Sequence, residues 1–301
     1  MHIGEIPDGL DAAGNQLVAY TLCLRGRNCN DAHQNFMRAA KALQLIDMLN
    51  GLTIVGGFMI RMDIESRQNI QTVILKATVI KQRLPQLNGV KVKELFRRCL
   101  GDYDYYVDED VKFAVRAFSD KIISNQCEVL YYLYIGEGVG GAAVHGGNML
   151  RGLNAAAGDA GHLLGRGGFT FESRLSTEAF ARTLGLEDSL TPEQQQEALH
   201  RLAEENPQRY DAALDDMASI TAKMLHGVLW MLDPTHIIID CVYARTREKQ
   251  FIAAVEKHLT LHFAGETRIL PQIFPTAPGL SSVVRGAVCV LQRAWLERIL
   301  M

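Results

Sequence analysis

The chain has 301 residues, of which 48% are hydrophobic and 22% charged, and its formal net charge is −3. This length is enough for two modest domains, and the composition is ordinary for a globular protein. The small negative charge excludes a bulk basic surface for nucleic acid or membrane, and no apolar run is long enough to span a bilayer.

Predicted strands and helices alternate along the chain. The predicted strands are 11–24 around the Gly14-Asn15 turn, 52–60, 71–80, 102–110, 127–136, 236–240 and 267–274. The predicted helices are 30–50, 91–100, one from about Val111, 176–185, a polar and then a long apolar helix within 191–234, 247–263, and a closing helix at 281–300. Strands followed by helices in both halves predict an α/β protein of two related lobes with a cleft between them.

Cysteine spacing and the N-terminus predict a cytoplasmic protein. The cysteines are Cys23, Cys29, Cys99, Cys127, Cys241 and Cys289. No pair has CxxC or CxC spacing, which favours reduced thiols over disulfides or a thiolate metal site. The first residues, MHIGEIPDGLD, have neither the basic start nor the apolar core of a signal peptide.

Polar side chains cluster where predicted strands or loops end. The three clusters are Asp108, Glu109 and Asp110; Asp159 and His162; and Glu172. Carboxylates accept hydrogen bonds from neighbouring hydroxyl groups, as a sugar site requires, and an aspartate can act as general base on a hydroxyl nucleophile. Each cluster alone also fits a helix cap or a solvated loop, so the prediction of a sugar site depends on the joint pattern.

Several long stretches resemble the ROK family (repressors, open reading frames and sugar kinases). YIGEGVGGAAVHGGNMLRGLNAAAGDAGHL is similar to the family's strand, Gly-Thr-Gly-x-Gly-x-Gly turn, hairpin, Leu-x-x-Gly and Gly-Glu-x-Gly-His. LPQLNGVKVKELFRRCLGDYDYYVDEDVKFAV resembles the run that ends in Glu-Asn-Asp-Ala-Asn, MLDPTHIIID resembles the Asn-Pro-x-x-Ile-Ile-Ile-Gly-Gly strand, and SSVVRGAVCVLQRAWLERIL resembles the closing Gly-Ala-Ala helix. The resemblance covers roughly residues 80–300.

The resemblance implies a two-lobed actin-like ATPase/sugar-kinase fold, which is ribonuclease H-like, with an interlobe cleft. We expect a smaller α/β lobe at 1–120, with a truncated N-terminal strand pair and completed by the C-terminal helix 286–301. A larger α/β lobe is expected at 121–285. Family behaviour also implies a homodimer.

Residue by residue, the resemblance implies a sugar site. The predicted sugar-binding residues are Gln86, Glu109, Asp110, Asp159, His162 and Glu172. Asp110 stands at the family's catalytic aspartate, and it is the base only if the protein is a kinase. Glu109 replaces the usual asparagine and Asp159 the usual glutamate, which changes reach or charge and bears on which sugar is bound.

The family's zinc loop is absent. LLGRGGFTF stands between His162 and Glu172 in place of Cys-x-Cys-Gly-x-x-Gly-Cys. Because a structural zinc site needs four ligands and only His162 remains, we predict no metal and no resident cofactor.

The nucleotide-binding turn is predicted to be degenerate. Its residues are Gly136, Glu137, Gly138 and Gly140, with Glu137 in place of the usual threonine. A like-charge pair at about 4 Å costs roughly 4 kcal/mol at an effective dielectric of about 20, and ATP carries several charges. The N-terminal Asp-x-Gly-x-Thr loop is also missing, and DCVY replaces the Gly-Gly that follows the strand at 236–240.

The leading hypothesis is therefore the sugar-sensing, effector-binding domain of a ROK-type transcriptional regulator without kinase activity. Its partner is a small sugar or sugar phosphate, and DNA is contacted only through an upstream segment, because the first predicted helix begins near residue 31 and no helix-turn-helix precedes it. The alternative is an ATP-dependent ROK sugar kinase that uses Mg-ATP and Asp110. A third possibility is a truncated relative that is poorly stable alone.

Overall fold

The computed structural model describes residues 60–61, 105–106, 108–122, 129–165, 167–187, 189–276, 282–283, 285–287 and 289–290. The chain divides into two units, Met1–Asp110 with Leu291–Met301 and Val111–Val290, and each is described by itself. Most predicted elements before residue 105, and the predicted sugar ligand Gln86, lie outside the described residues. The predicted lobe limits of 1–120 and 121–285 stay predictions.

The described part of the first unit is a short antiparallel strand pair. Strand β1 is Ile60–Arg61 and strand β2 is Tyr105–Tyr106, with Ile60 opposite Tyr106. Helix α1, Asp110–Ile122, follows; its first residue, Asp110, is assigned to the first unit, and Val111 onward belongs to the second. An acidic side chain is favourable at the first position because the helix macrodipole is positive at its N-terminus.

Five described strands of the second unit form one mixed sheet in the order β5-β4-β3-β6-β7. They are β3 (Val129–Ile135), β4 (Val139–His145), β5 (Asn148–Met149), β6 (His236–Cys241) and β7 (Gln272–Pro275). Strand β3 is antiparallel to β4 and parallel to β6, and β6 is parallel to β7. The central strands β3 and β6 are continuous apolar runs because both of their faces are covered.

Helices cover this sheet, and their ends follow the sequence signals. They are α2 (Glu172–Leu175), α3 (Thr177–Thr183), α4 (Pro192–Glu205), α5 (Pro207–Leu232) and α6 (Glu248–His262), with 3₁₀ turns at Ala160–His162 and Val242–Arg247. Ser176 caps α3 by accepting from the Ala179 backbone N–H, as predicted. Helix α5 ends where Asp233 adopts a left-handed φ of 44° ahead of Pro234, also as predicted.

Successive side chains of β3 point to opposite faces of the sheet, and each face has its own hydrophobic cluster. Tyr131 and Leu133 pack into the larger cluster, which includes the apolar faces of α5 and α6. Tyr132 faces the other cluster, with the apolar face of α1. A Cβ at Gly286, in the described part of the closing helix, would overlap the Phe113 carbonyl, so this helix lies unusually close to α1.

The arrangement confirms the predicted α/β class. Parallel strands joined through helices stand beside an antiparallel hairpin, with helices packed on both faces of one sheet. Within the part of the chain that the structure describes, no helix combines the length and apolar character needed to cross a membrane.

Candidate functional site

The predicted nucleotide turn is the loop of the β3–β4 hairpin. Ile135 pairs with Val139 across it. The Gly136 N–H donates to the Gly138 carbonyl at 2.9 Å, and the Gly136 carbonyl accepts from the Thr177 N–H at 2.7 Å. Glu137 is exposed at the tip. Both backbone groups of Gly136 are therefore engaged inside the protein.

Glu172 contacts the end of this loop, at the first residue of β4. Its Oε2 accepts a hydrogen bond from the Val139 backbone N–H at 3.0 Å. Glu172 is half-buried and opens helix α2, directly after the hairpin that replaces the zinc loop. This predicted sugar ligand therefore also holds the first residue of β4.

The Asp159–His162 cluster lies against the same strand residue. Gly161 packs so closely that a Cβ would overlap the Val139 carbonyl oxygen. Since Val139 meets Glu172 through its N–H and Gly161 through its carbonyl, the structure brings two of the three predicted clusters to one point on β4. Such close backbone approach requires glycine.

Asp159 and His162 contact each other on the outside of the 3₁₀ turn. Asp159 Oδ2 lies 3.6 Å from His162 Nε2, with the side chains 25% and 68% exposed. A mostly buried carboxylate beside an accessible imidazole can accept from one sugar hydroxyl and offer a second polar group to its neighbour. This pair therefore combines an acceptor that is shielded from water with an exposed partner.

The loop that leads into Asp159 is held by a hydrogen bond from strand β3. Tyr131 of β3 donates its hydroxyl to the Gly158 carbonyl at 2.9 Å. Burial, and then the charge of Asp159, raises the pKa of Tyr131, so the hydroxyl stays protonated and remains a donor. A Cβ at Gly141 would overlap this hydroxyl, so the contact also depends on a glycine in β4.

The remaining predicted acids belong to the other unit. Asp108, Glu109 and Asp110 are half-buried, and the Glu109 N–H donates to Asp108 Oδ1 at 3.1 Å. Asp110 is the first residue of α1. Their membership in one sugar site with Asp159, His162 and Glu172 stays a prediction.

Two acidic groups lie near the carboxyl end of β6: Asp240, the first residue of the DCVY segment, and Glu248, the first residue of α6. Tyr132 donates to Asp240 Oδ2 at 2.8 Å, and Arg245 lies 3.8 Å from Asp240 Oδ1. Burial, and then the charge of Asp240, raises the pKa of Glu248, while Arg245 opposes the shift. The one charged side chain of the segment that replaces Gly-Gly, Asp240, is thus engaged by Tyr132 and lies near Arg245.

The hairpin in place of the zinc loop has no metal-binding character. Leu164 bridges to Thr170, and the Gly165 N–H donates to the Phe169 carbonyl at 2.7 Å. Its donor set does not fit zinc, because the segment contains no cysteine. Among the described residues, no group of three or more His, Cys, Asp or Glu side chains is arranged to hold a metal ion.

Three supporting residues were not predicted from the sequence. They are Tyr131, Gly141 and Lys112, whose ammonium group donates to the Ala155 carbonyl in the loop that precedes Asp159. The Gly140-Gly141 pair within an apolar strand was the available signal, since glycine inside a strand often marks a close backbone approach. Lys112 gave no comparable signal, because a lone lysine in a helix normally faces water.

Sequence comparison identifies the family. The ROK family model matches residues 75–294, which is well over half of the chain. Among curated proteins, no sequence matches the chain.

Solved structures share the fold. A ROK family glucokinase from Streptomyces griseus in complex with glucose and AMPPNP is 16% identical, with a TM-score of 0.56 over 67% of this chain and 72% of that chain. A ROK family protein from Streptococcus pneumoniae in complex with sucrose is 16% identical, with a TM-score of 0.56 over 91% and 89%. A ROK family transcriptional regulator, a homolog of the E. coli MLC protein, is 14% identical, with a TM-score of 0.51 over 68% and 56%.

At these identities the likeness shows the fold alone, and it confirms the predicted actin-like ATPase/sugar-kinase class. The neighbours include kinases and a regulator, so the fold does not separate the two activities. The distinction depends on the site residues of this chain.

Proposed function

The chain belongs to the ROK family, and we propose that it is the sugar-sensing, effector-binding domain of a ROK-type transcriptional regulator without kinase activity. Its ligand is a sugar or sugar phosphate. The observation that carries this proposal is the β3–β4 loop, whose N–H groups at Gly136 and Val139 already donate within the protein while Glu137 is exposed at the tip.

The loop argues against ATP because phosphoryl transfer depends on positioning and on stabilising negative charge. Two of the N–H groups that could face a phosphate are used elsewhere, at Gly136 and Val139. The exposed Glu137 adds a like charge where a donor is needed. Asp240 near the end of β6 and Glu248 at the start of α6 add further negative charge, with Arg245 beside Asp240.

The sugar half of the proposal is supported by the other cluster. Asp159 and His162 contact each other, and Gly161 and Glu172 both meet Val139, so the segments that carry three of the predicted sugar ligands approach one residue of β4. Two structurally similar ROK proteins were solved with glucose and with sucrose, which supports a small sugar as the ligand class.

The regulator part of the proposal requires a DNA-binding helix-turn-helix segment that is separate from this sugar-binding domain. The protein is a cytoplasmic homodimer in this proposal. Cys241 is a buried free thiol, as expected in a reducing compartment. In-frame upstream codons for a basic, helix-rich segment of about eighty residues, the order of one small domain, would support the regulator, and their absence would contradict it.

The alternative is an ATP-dependent sugar kinase with Asp110 as base. It is favoured by the position of Asp110 as the first residue of α1 and by the retention of His162 beside Asp159. In that reaction the carboxylate of Asp110 would take the proton of the attacking sugar hydroxyl, and Mg-ATP would be a substrate.

Two experiments test the proposal. Titration calorimetry with glucose, mannose, their N-acetylamino analogues and the 6-phosphates should give a saturable isotherm with at least one of them. Folded protein that binds none of them contradicts sugar sensing. A coupled ADP-release assay over the same panel decides between the two activities, because turnover that disappears in Asp110→Asn would establish the kinase.

A further inference from the structure

Lys112 is a buried lysine close to the candidate sugar site. It lies in the first turns of α1 and its side chain is only 1% exposed, between the buried Val111 and Phe113. Its ammonium group donates a hydrogen bond to the carbonyl of Ala155, 43 residues further along the chain. Lysine is almost never fully buried without a specific partner, and the Ala155 carbonyl is such a partner.

The partner residue has an unusual backbone. Ala155 has a φ of 57°, in the left-handed region that residues other than glycine, asparagine and aspartate seldom adopt. A single residue in this region persists when its surroundings hold it there. The ammonium of Lys112, which forms a charge-assisted bond to the same residue's carbonyl, is positioned to do so.

A second anchor holds the other end of the same short loop. The Tyr131 hydroxyl donates to the carbonyl of Gly158, the residue before Asp159. Between the two anchors, the Ala157 N–H donates to the Arg151 carbonyl at 3.1 Å, and the Asp159 N–H to the Ala156 carbonyl at 3.2 Å. The segment Ala155–Gly158, which we call the anchored loop, is thus fixed by contacts from α1 and from β3, and Asp159 follows it directly.

We propose that Lys112 is a positioning residue of the sugar site. Through the Ala155 carbonyl it fixes the anchored loop, and the loop sets the direction in which Asp159 presents its carboxylate to a sugar hydroxyl. This inference rests on the proposed sugar-binding function. In the proposal, Lys112 and Tyr131 hold the loop in the free protein, before a ligand binds.

Preorganisation of this kind raises affinity because the loop does not have to be ordered when the sugar binds. A methionine has nearly the length of the lysine stem but lacks the ammonium donor. In Lys112→Met the anchored loop should therefore keep the hydrogen bond from Tyr131 to Gly158 and lose the hydrogen bond from Lys112 to Ala155. Asp159 would then sample directions that do not suit the ligand.

The test combines amide hydrogen exchange with calorimetry on wild type, Lys112→Met and, as matched control, Lys257→Met, whose lysine is exposed on α6. In Lys112→Met we expect the amides of Ala157 and Asp159 to exchange about tenfold faster or more, and the best-binding sugar of the panel above to bind about tenfold more weakly, as loss of one charge-assisted bond implies. The β4 amides and the control should be unchanged.

The outcomes separate the two proposals. Folded Lys112→Met with wild-type exchange in the anchored loop overturns the role of Lys112, whatever the sugar result. Should that variant fail to fold, exchange in the wild type decides, since rapid exchange at Ala157 and Asp159 would show that the loop is not fixed. Wild type that binds no sugar but shows faster loop exchange in the variant contradicts the proposed function and leaves the loop attachment established.

Discussion

Glu172 Oε2 accepts a hydrogen bond from the backbone N–H of Val139 at 3.0 Å, which joins helix α2 to the start of β4. One carboxylate thus braces the turn that the family pattern assigns to phosphate recognition, and it is also a predicted sugar ligand. Loss of this side chain should therefore affect both the stability of the hairpin and the binding of sugar.

Glu172→Ala leaves the Val139 N–H without its acceptor, and we expect it to lower the free energy of unfolding by about 1–3 kcal/mol. Urea denaturation measures this change. Glu178→Ala is the matched control, because Glu178 is exposed and pairs with Arg182 on the surface of α3, where such a pair contributes about 0–1 kcal/mol. Equal stability of the two variants would show that the Val139 contact contributes nothing.

Two glycines should not tolerate a methyl group. In Gly161→Ala the new Cβ overlaps the fixed Val139 carbonyl, and in Gly141→Ala it overlaps the Tyr131 hydroxyl and the Gly158 carbonyl. We expect each variant to lose about 1–3 kcal/mol of stability, as overpacking typically costs. Adding Tyr131→Phe should relieve part of the Gly141→Ala loss and none of the Gly161→Ala loss. A double-mutant cycle measures this difference, and equal coupling in both cycles would contradict the described packing.

Glu248, at the start of α6 and close to Asp240 of β6, gives a pH-dependent prediction. The pKa of Glu248 is raised above 4.5 in the folded protein, by burial and then by Asp240. Ionisation of Glu248 therefore opposes folding, and stability falls as the pH rises through the folded pKa. Glu248→Gln should be more stable than wild type at neutral pH, and the difference should disappear below about pH 4 because both states then hold the proton. Denaturation at several pH values measures it, and a constant difference would contradict the assignment.

Restoring one nucleotide contact should not restore phosphoryl transfer. Glu137→Thr removes the charge at the tip of the β3–β4 loop, but the N–H groups of Gly136 and Val139 remain engaged and Asp240 remains at the end of β6. We expect ADP release by this variant to stay at the background level with every sugar of the panel. Turnover well above that of the wild type would show that Glu137 alone blocks the reaction.

Local patterns predicted the elements of the second unit well. The apolar runs of β3 and β6 identify buried strands, and Ser176 and the Asp233-Pro234 step mark helix ends through chemistry that acts within a few residues. These signals are local, so one sequence is enough to read them.

The supporting contacts of the site could not be predicted in this way. The bond from Glu172 to Val139 joins segments 33 residues apart, and it exists only because the hairpin and α2 are brought together by the folded core. Lys112 carries a charge that normally indicates a wet helix face, yet it is buried against Ala155. Gln86 and most of the first unit lie outside the described residues, so the predictions made for them stay predictions.

Calorimetric titration of the sugar-loaded protein with Mg-ATP tests the central claim most directly. We predict that at least one sugar of the panel binds the wild type saturably and that Asp159→Ala binds this sugar with lower affinity. Mg-ATP injected into the sugar-loaded wild type should give only heat of dilution. A saturable Mg-ATP isotherm accompanied by formation of ADP and sugar phosphate would contradict the account.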